Sequence, residues 1–273
     1  MSRQPDTGGD WLQPQSDGPT LRYLPSKLWL IGLGHLGQAY LWGLGLLPYE
    51  RAESLALVLQ DVDSISPSSE STSVLSDCGN LGARKTRAMA AWAEARGFSA
   101  TIVERLFAAD FRRQANEPAV ALCGLDNALG RQALDQVGFD LIVEAGLGRG
   151  HQDFRRIRLH TLPGRRGAAE LWPIRPADES AKTQPAYSRL RDEGVLDRCG
   201  MTLLAGKAVG APFVGAVAAS LALSEILRLL HGSAVHQVMD IDLLALEQRV
   251  ACPNPHDFST FNPGFVAVSG PMH

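Results

Sequence analysis

Residues 28–39 read Leu-Trp-Leu-Ile-Gly-Leu-Gly-His-Leu-Gly-Gln-Ala, an apolar run that leads directly into three spaced glycines. Four consecutive apolar residues predict a strand buried on both faces, and the residues that follow predict an amphipathic helix. Gly32 permits a tight turn, Gly34 allows a phosphate to approach the backbone, and Gly37 allows the helix to pack closely on the strand. The free N–H groups at the helix start attract an anion. The pattern therefore favours a nucleotide-binding βα turn, with glycine used only for close packing as the alternative.

The composition is that of an ordinary globular protein, with 273 residues of which 45% are hydrophobic and 20% charged. The formal net charge of -3 gives no general attraction to nucleic acid or to an anionic membrane, so we expect neither as a partner. Residues 1–18 lack the apolar core of a secretory signal. The apolar run 208–230 contains Pro, Ser, Glu and Arg, which favours a core helix over a membrane span. We expect a cytoplasmic enzyme or binding protein.

Strands and helices alternate through the first half of the chain. Buried strands are predicted at 55–60, 100–103, 119–123 and 141–145, with helices opening near 82–86 and spanning 128–137. This alternation predicts an α/β fold, a Rossmann-like and mostly parallel sheet with helices on both faces. Residues 64–80 are rich in Ser and Thr and predict a loop.

The second half of the chain is less regular. A strand is possible at 154–160, an apolar helix is predicted at 214–230, and a strand or hairpin at 234–246. We divide the chain into a flexible arm, one large domain and a Pro-rich tail, at 1–25, 26–250 and 251–273. A polar crossover or partner-binding loop at 146–198 interrupts the large domain.

Polar residues with the chemistry of a nucleotide site follow the predicted strands. They are Asp61, Asp63, Lys85, Asp126, Asn127 and Arg131, all candidate contacts to a cofactor. The carboxyl ends of parallel strands meet at one edge, so these side chains are expected to share a crevice with the glycine turn. Asp61 lies 24 residues after Gly37, near the position of a ribose-binding acid. Together they supply a phosphate cradle, a ribose acceptor, a cation and a carboxylate for Mg²⁺, which suits attack on a nucleoside triphosphate better than hydride transfer.

Each of these residues also has a purely structural interpretation. A lysine at a helix start is usually a solvated charge, so Lys85 need not touch a ligand. Asp126 stands where a helix N-cap is expected, and Asp61 is a possible turn residue.

The chain resembles the ThiF/MoeB/ubiquitin-activating superfamily of adenylating enzymes from about residue 28 to residue 230. The resemblance rests on five motifs in this order: Gly32-x-Gly34-x-x-Gly37, Asp61-x-Asp63, Gly82-x-x-Lys85, Asp126-Asn127-x-x-x-Arg131 and Pro212-Phe-Val-Gly215. It implies that Asp61 holds ribose, Lys85 contacts the phosphates of ATP and Asp126 coordinates Mg²⁺. It also implies a ubiquitin-like protein as substrate, a conjugating enzyme as acceptor and a homodimer. The compact chain looks bacterial, and the resemblance extends to bacterial conjugation operons of antiviral defence.

One motif of the family is missing. The family usually carries Ser-Asn-x-x-Arg-Gln after the strand-end acids, whereas residues 68–73 here read Ser-Ser-Glu-Ser-Thr-Ser. Either Arg22 or Arg84 replaces the lost cation, or the protein is a non-catalytic pseudo-activating scaffold. An NAD(P)-dependent oxidoreductase is a further alternative, but it leaves Lys85 and Asp126 without a role.

The four cysteines are widely spaced, and no C-x-x-C pair predicts a zinc ribbon or a disulfide framework. Cys199 is the candidate nucleophile, because it ends the polar crossover and its basic neighbours Arg198 and Lys207 favour the thiolate. A structural thiol is the alternative. Of the others, Cys78 is a weaker candidate in a loop, Cys123 ends a buried strand, and Cys252 lies in the tail.

Overall fold

The computed structural model describes residues 21–148, 153–173, 211–247 and 249–268. The strands in these ranges are β1 (Tyr23–Pro25), β2 (Lys27–Ile31), β3 (Ala56–Gln60), β4 (Ser99–Val103), β5 (Val120–Cys123), β6 (Leu141–Leu147), β7 (Arg156–Leu162), β8 (His236–Asp242), β9 (Arg249–Pro253) and β10 (Phe265–Ala267). The α-helices there are α1 (His35–Leu44), α2 (Pro67–Thr72), α3 (Lys85–Glu94), α4 (Ala128–Gln132), α5 (Ala168–Leu171) and α6 (Pro212–Leu230).

Eight strands form one sheet in the order β4-β3-β2-β5-β6-β7-β8-β9. The pairs from β4 to β6 are parallel, and those from β6 to β9 are antiparallel. The prediction of a Rossmann-like, mostly parallel α/β sheet is confirmed. After β2 the chain builds outward through β3 and β4, then returns to the other side of β2 with β5. This reversal opens a crevice beyond the carboxyl ends of β2 and β5, where ligands bind in open α/β sheets.

The sheet is buried on both faces, as the apolar run of β2 predicts. Leu28 and Leu30 pack into the core shared with α1, α3 and α6, whereas Trp29 and Ile31 face the second core. All four side chains are fully buried. Burying each large apolar side chain contributes about 1.5–3 kcal/mol, so β2 is held firmly under the turn that follows it.

Helix α6 lies alongside α1 and runs in the same direction. Its Gly215 contacts His35 at the start of α1, and its Leu223 contacts Gly43 near the end. Among the described residues α6 is the one helix long and apolar enough to span a membrane, but its buried face packs in the core with α1. Both helices therefore begin at the carboxyl edge of the parallel strands.

Two segments are more ordered than the sequence predicts. The expected loop at 64–80 contains α2, because Pro67 opens a helical turn that Ser66 and Ser69 cap reciprocally. Near the chain ends, β1 pairs antiparallel with β10, with Tyr23 opposite Ala267. Residues 234–246, predicted as a strand or hairpin, contain the single strand β8, and its antiparallel partner β9 lies beyond that range.

Candidate active site at the carboxyl edge of the parallel strands

The glycine turn combines close packing with an open side. Gly32 has φ +79°, and a Cβ on Gly37 would collide with its carbonyl oxygen. A Cβ on Gly124, which follows β5, would lie 2.9 Å from the backbone nitrogen of Gly37. At Gly34, by contrast, a Cβ would have no heavy atom within 4 Å. Close packing therefore explains Gly37 and Gly124, and the positive φ explains Gly32. Gly34 faces the open space that a phosphate needs.

Asp61 braces this turn from the end of β3. Its Oδ2 accepts the backbone N–H of Leu33 at 2.6 Å, and its Oδ1 accepts that of Asp63 at 2.7 Å. The carboxylate thus performs the turn role that the sequence allowed. A carboxylate has about four lone-pair positions, so two remain for ribose hydroxyls. The ribose contact stays a prediction.

Two cations lie beside the Asp61–Asp63 loop. The Nζ of Lys85, the first residue of α3, is 3.0 Å from Oδ2 of Asp63. The guanidinium of Arg84 donates to the carbonyl of Val62. Lys85 thus folds back toward the site, and its contact with the phosphates of ATP stays a prediction. Of the two candidate replacements for the missing family arginine, Arg84 lies at this edge.

Arg22 lies at the opposite edge of the sheet. It precedes β1, and its backbone N–H donates to Nε2 of His231, just beyond the end of α6, at 3.0 Å. Since α6 begins at the carboxyl edge, its far end is remote from the glycine turn. Within this chain, Arg84 is therefore the better placed of the two.

The β5–α4 turn carries Asp126 and Asn127. Asn127 is the N-cap of α4, because its Oδ1 accepts the backbone N–H of Gly130 at 2.7 Å. Asp126 is exposed and is not the cap. Among the described residues no group of three or more His, Cys, Asp or Glu could hold a metal ion. Mg²⁺ at Asp126 would therefore need further oxygen ligands, such as nucleotide phosphates and water.

Arg131 is held by a buried ion pair. Its Nη2 is 2.9 Å from Oε1 of Glu144 on β6, and its Nε donates to the carbonyl of Leu125 at 2.9 Å. The other Glu144 oxygen lies 3.2 Å from Nδ1 of His160 on β7, and Trp172 packs edge-on against that imidazole. Arg131 thus fixes the turn before α4 to the sheet, and its predicted contact with a cofactor stays a prediction. Sequence reasoning passed over Glu144, although a charge inside a buried strand was the signal.

Gln38 is a second residue that sequence reasoning missed. Its amide nitrogen donates to Oγ of Ser76 at 2.9 Å and lies 3.2 Å from the carbonyl oxygen of Leu33, and its Oε1 accepts the backbone N–H of Leu75 at 3.1 Å. This buried side chain fastens the segment after α2 to the first turn of α1. A glutamine on an otherwise apolar helix face was the available signal.

The described cysteines differ in exposure. Cys123 is fully buried at the end of β5, and burial raises the pKa of its thiol to about 12, as expected of a core residue. Cys78 and Cys252 are exposed. The candidate nucleophile Cys199 lies outside the described residues, as do Arg198 and Lys207.

Residues 24–233 match the sequence family described as the BilD C-terminal domain. The chain belongs to this family. A curated relative, "Bacterial E1-like protein BilD" of Collimonas sp. (strain OK412), is 54% identical over 227 residues. That match covers 82% of this chain and 49% of the relative, so the chain spans about half the relative's length.

Solved structures share the fold of this BilD-family chain. E. coli MccB solved with MccA-N7isoASN has a TM-score of 0.55 at 13% identity, over 84% of this chain and 64% of MccB. E. coli MccB solved with ATP has a TM-score of 0.50 at 10% identity, over the same shares. With the E1-like relative, they confirm the resemblance to the ThiF/MoeB/ubiquitin-activating superfamily.

Proposed function

We propose that this BilD-family chain uses ATP and Mg²⁺ to adenylate the C-terminal carboxylate of a ubiquitin-like protein. One observation carries the proposal: the open side at Gly34 and the Lys85 ammonium share the carboxyl edge of β2 and β3. A phosphate-accepting turn without a cation would suit many nucleotides, but a cation held beside it suits displacement at phosphorus. The E1-like relative and the MccB structure with ATP support this choice.

The side chains would divide the work as follows. The free N–H groups at the start of α1 bind phosphate at Gly34, and Lys85 balances charge that develops on phosphate oxygens. Asp61 would offer its remaining lone pairs to ribose. Asp126 would be the residue that holds Mg²⁺, and the ion would supply positive charge for the phosphate oxygens. A substrate carboxylate oxygen then attacks the α-phosphorus, and the bond to pyrophosphate breaks. The products are the acyl adenylate and pyrophosphate.

ATP–pyrophosphate exchange tests this proposal. The purified protein, mixed with a ubiquitin-like protein whose C-terminal carboxylate is free, should incorporate labelled pyrophosphate into ATP. The matched control is the same ubiquitin-like protein with an amidated C-terminus, which lacks the attacking carboxylate and should give no exchange. ATP binding without exchange would overturn the proposal in favour of a pseudo-activating scaffold. Binding of NAD(P) instead of ATP would favour an oxidoreductase.

We also propose that the acyl group passes to Cys199 and then to a conjugating enzyme. The thiolate sulfur attacks the acyl carbon, the bond to the phosphate oxygen breaks, and AMP leaves. We further propose that the protein forms a homodimer and that it acts in bacterial antiviral defence. The match covers only about half of the relative's length, so the activity of the whole relative is not attributed to this chain.

The Cys199→Ala variant should form the adenylate but no reducing-agent-sensitive adduct with the ubiquitin-like protein. Electrophoresis with and without dithiothreitol measures the adduct, and exchange measures the adenylate. Cys78→Ala and Cys252→Ala remove exposed thiols and serve as matched controls that keep the adduct. An adduct that persists in Cys199→Ala would move the nucleophile elsewhere. Exchange without any adduct in the wild type would indicate direct transfer to the conjugating enzyme.

A further inference from the structure

His35 occupies an unusual position in the glycine turn. It is the first residue of α1, and its Nδ1 bonds to the carbonyl oxygen of Thr72, the last residue of α2. A carbonyl oxygen only accepts hydrogen bonds, so Nδ1 carries the proton and Nε2 the lone pair. Nε2 is buried without a hydrogen-bond partner. It lies against Gly215 of α6, where an added Cβ would collide with it.

The imidazole is therefore neutral in this arrangement. Burial lowers the pKa of His35, and the bond to Thr72 only partly opposes that effect. Charging Nε2 would place a proton against Gly215 with no acceptor. His35 thus adds no positive charge to the glycine turn. It acts there through its hydrogen bond to the carbonyl oxygen of Thr72.

That bond completes the attachment of the segment 72–76 to α1. Gln38, one helical turn after His35, bonds to Leu75 and Ser76. His35 holds the beginning of the segment and Gln38 holds its end. The Gln38 amide also lies 3.2 Å from the carbonyl oxygen of Leu33, so the segment, α1 and the glycine turn form one bonded unit.

We propose that His35 is a positioning residue that latches the segment 72–76 beside the open side of the glycine turn, with Gly215 as its seat. The latch sets the shape of the phosphate site through hydrogen bonding and without charge. Its effect on a nucleotide rests on the proposed function, whereas the latch itself is a property of the protein without ligand.

Substitution of His35 by asparagine or by glutamine distinguishes the role of Nδ1 from that of Nε2. Asparagine at position 35 places its NH₂ near Nδ1 and can keep the bond to Thr72, whereas glutamine reaches toward Nε2 and cannot. Hydrogen–deuterium exchange of the ligand-free protein should show amides 72–76 opening about fivefold faster in His35→Gln and His35→Ala, the change expected for one hydrogen bond. His35→Asn should exchange like the wild type. The ATP dissociation constant should rise by about the same factor in the first two variants only.

Gly215→Ala tests whether the contact between the His35 imidazole and Gly215 of α6 holds the imidazole in place. Its methyl group displaces the imidazole, so amides 72–76 should again exchange faster. In the His35→Ala background the same substitution should add nothing, because the clash is gone. Gly43→Ala is the matched control: its methyl would lie 2.8 Å from Cδ1 of Leu223 at the same α1–α6 interface, but far from segment 72–76. It should leave those amides unchanged.

Equal exchange of amides 72–76 in wild type, His35→Gln and His35→Ala would overturn the latch. Faster exchange with an unchanged ATP dissociation constant would overturn its role at the phosphate site. If the wild type does not bind ATP, the proposed function fails, and the ligand-free exchange still supports or overturns the latch.

Discussion

Lys85→Met should slow ATP–pyrophosphate exchange by about 10²-fold or more, since it removes a cation from the phosphate side of the site while keeping the length of the side chain. Lys85 begins α3, where a positive charge opposes the helix dipole. Its side chain is only 12% exposed, although its partner Asp63 is 66% exposed. A cation kept in a position that is unfavourable for the helix suggests a functional reason for its presence.

Stability should change little in Lys85→Met, because ion pairs with an exposed partner contribute little to folding. Thermal unfolding therefore separates a loss of activity from a loss of fold. Arg87→Met is the matched control: it removes the same charge from the same helix, but from an exposed pair with Glu104. A rate of ATP–pyrophosphate exchange within threefold of the wild-type rate in Lys85→Met would contradict a catalytic role for Lys85. The same conclusion would follow if Arg87→Met lost as much of the exchange rate as Lys85→Met.

The parallel half of the fold was predictable because its signals are local. The apolar run of β2 and the glycines after it lie within twelve residues, and each later strand has its own apolar run. The sequence alone could not say which glycine serves close packing. Packing explains Gly37, because its Cβ would collide with the carbonyl oxygen of Gly32, but it does not explain Gly34, where a Cβ would meet no heavy atom. The phosphate contact at Gly34 stays a prediction.

The bonds that shape the candidate site were not predictable, since their partners are distant in sequence. His35 bonds to Thr72 and Arg131 pairs with Glu144, and in each case neither residue belongs to a motif that names the other. The sequence shows that a polar group exists, but not which group it meets after folding. For the same reason Arg131 looked like a ligand contact, although a buried carboxylate engages its guanidinium.

The Glu144→Ala variant should lose about 3–5 kcal/mol of the free energy of unfolding, measured by urea denaturation. Glu144 is 1% exposed and Arg131 is 16% exposed, so the substitution leaves a largely buried guanidinium without its counter-ion. The imidazole of His160 also loses its carboxylate partner. Glu104→Ala removes an acid from a much more exposed pair, and it should change stability far less.

A double substitution distinguishes the buried charge from the lost packing. In Arg131→Met/Glu144→Met both charges are replaced by apolar side chains of similar size, and such replacements of buried pairs are often neutral or stabilising. The double variant should therefore recover most of the stability that Glu144→Ala loses. Its nucleotide affinity should be lower than that of the wild type, because no guanidinium at position 131 then holds the carbonyl of Leu125 next to Asp126. Stability that falls as far in the double variant as in Glu144→Ala would show that shape, rather than charge, holds α4 on the sheet.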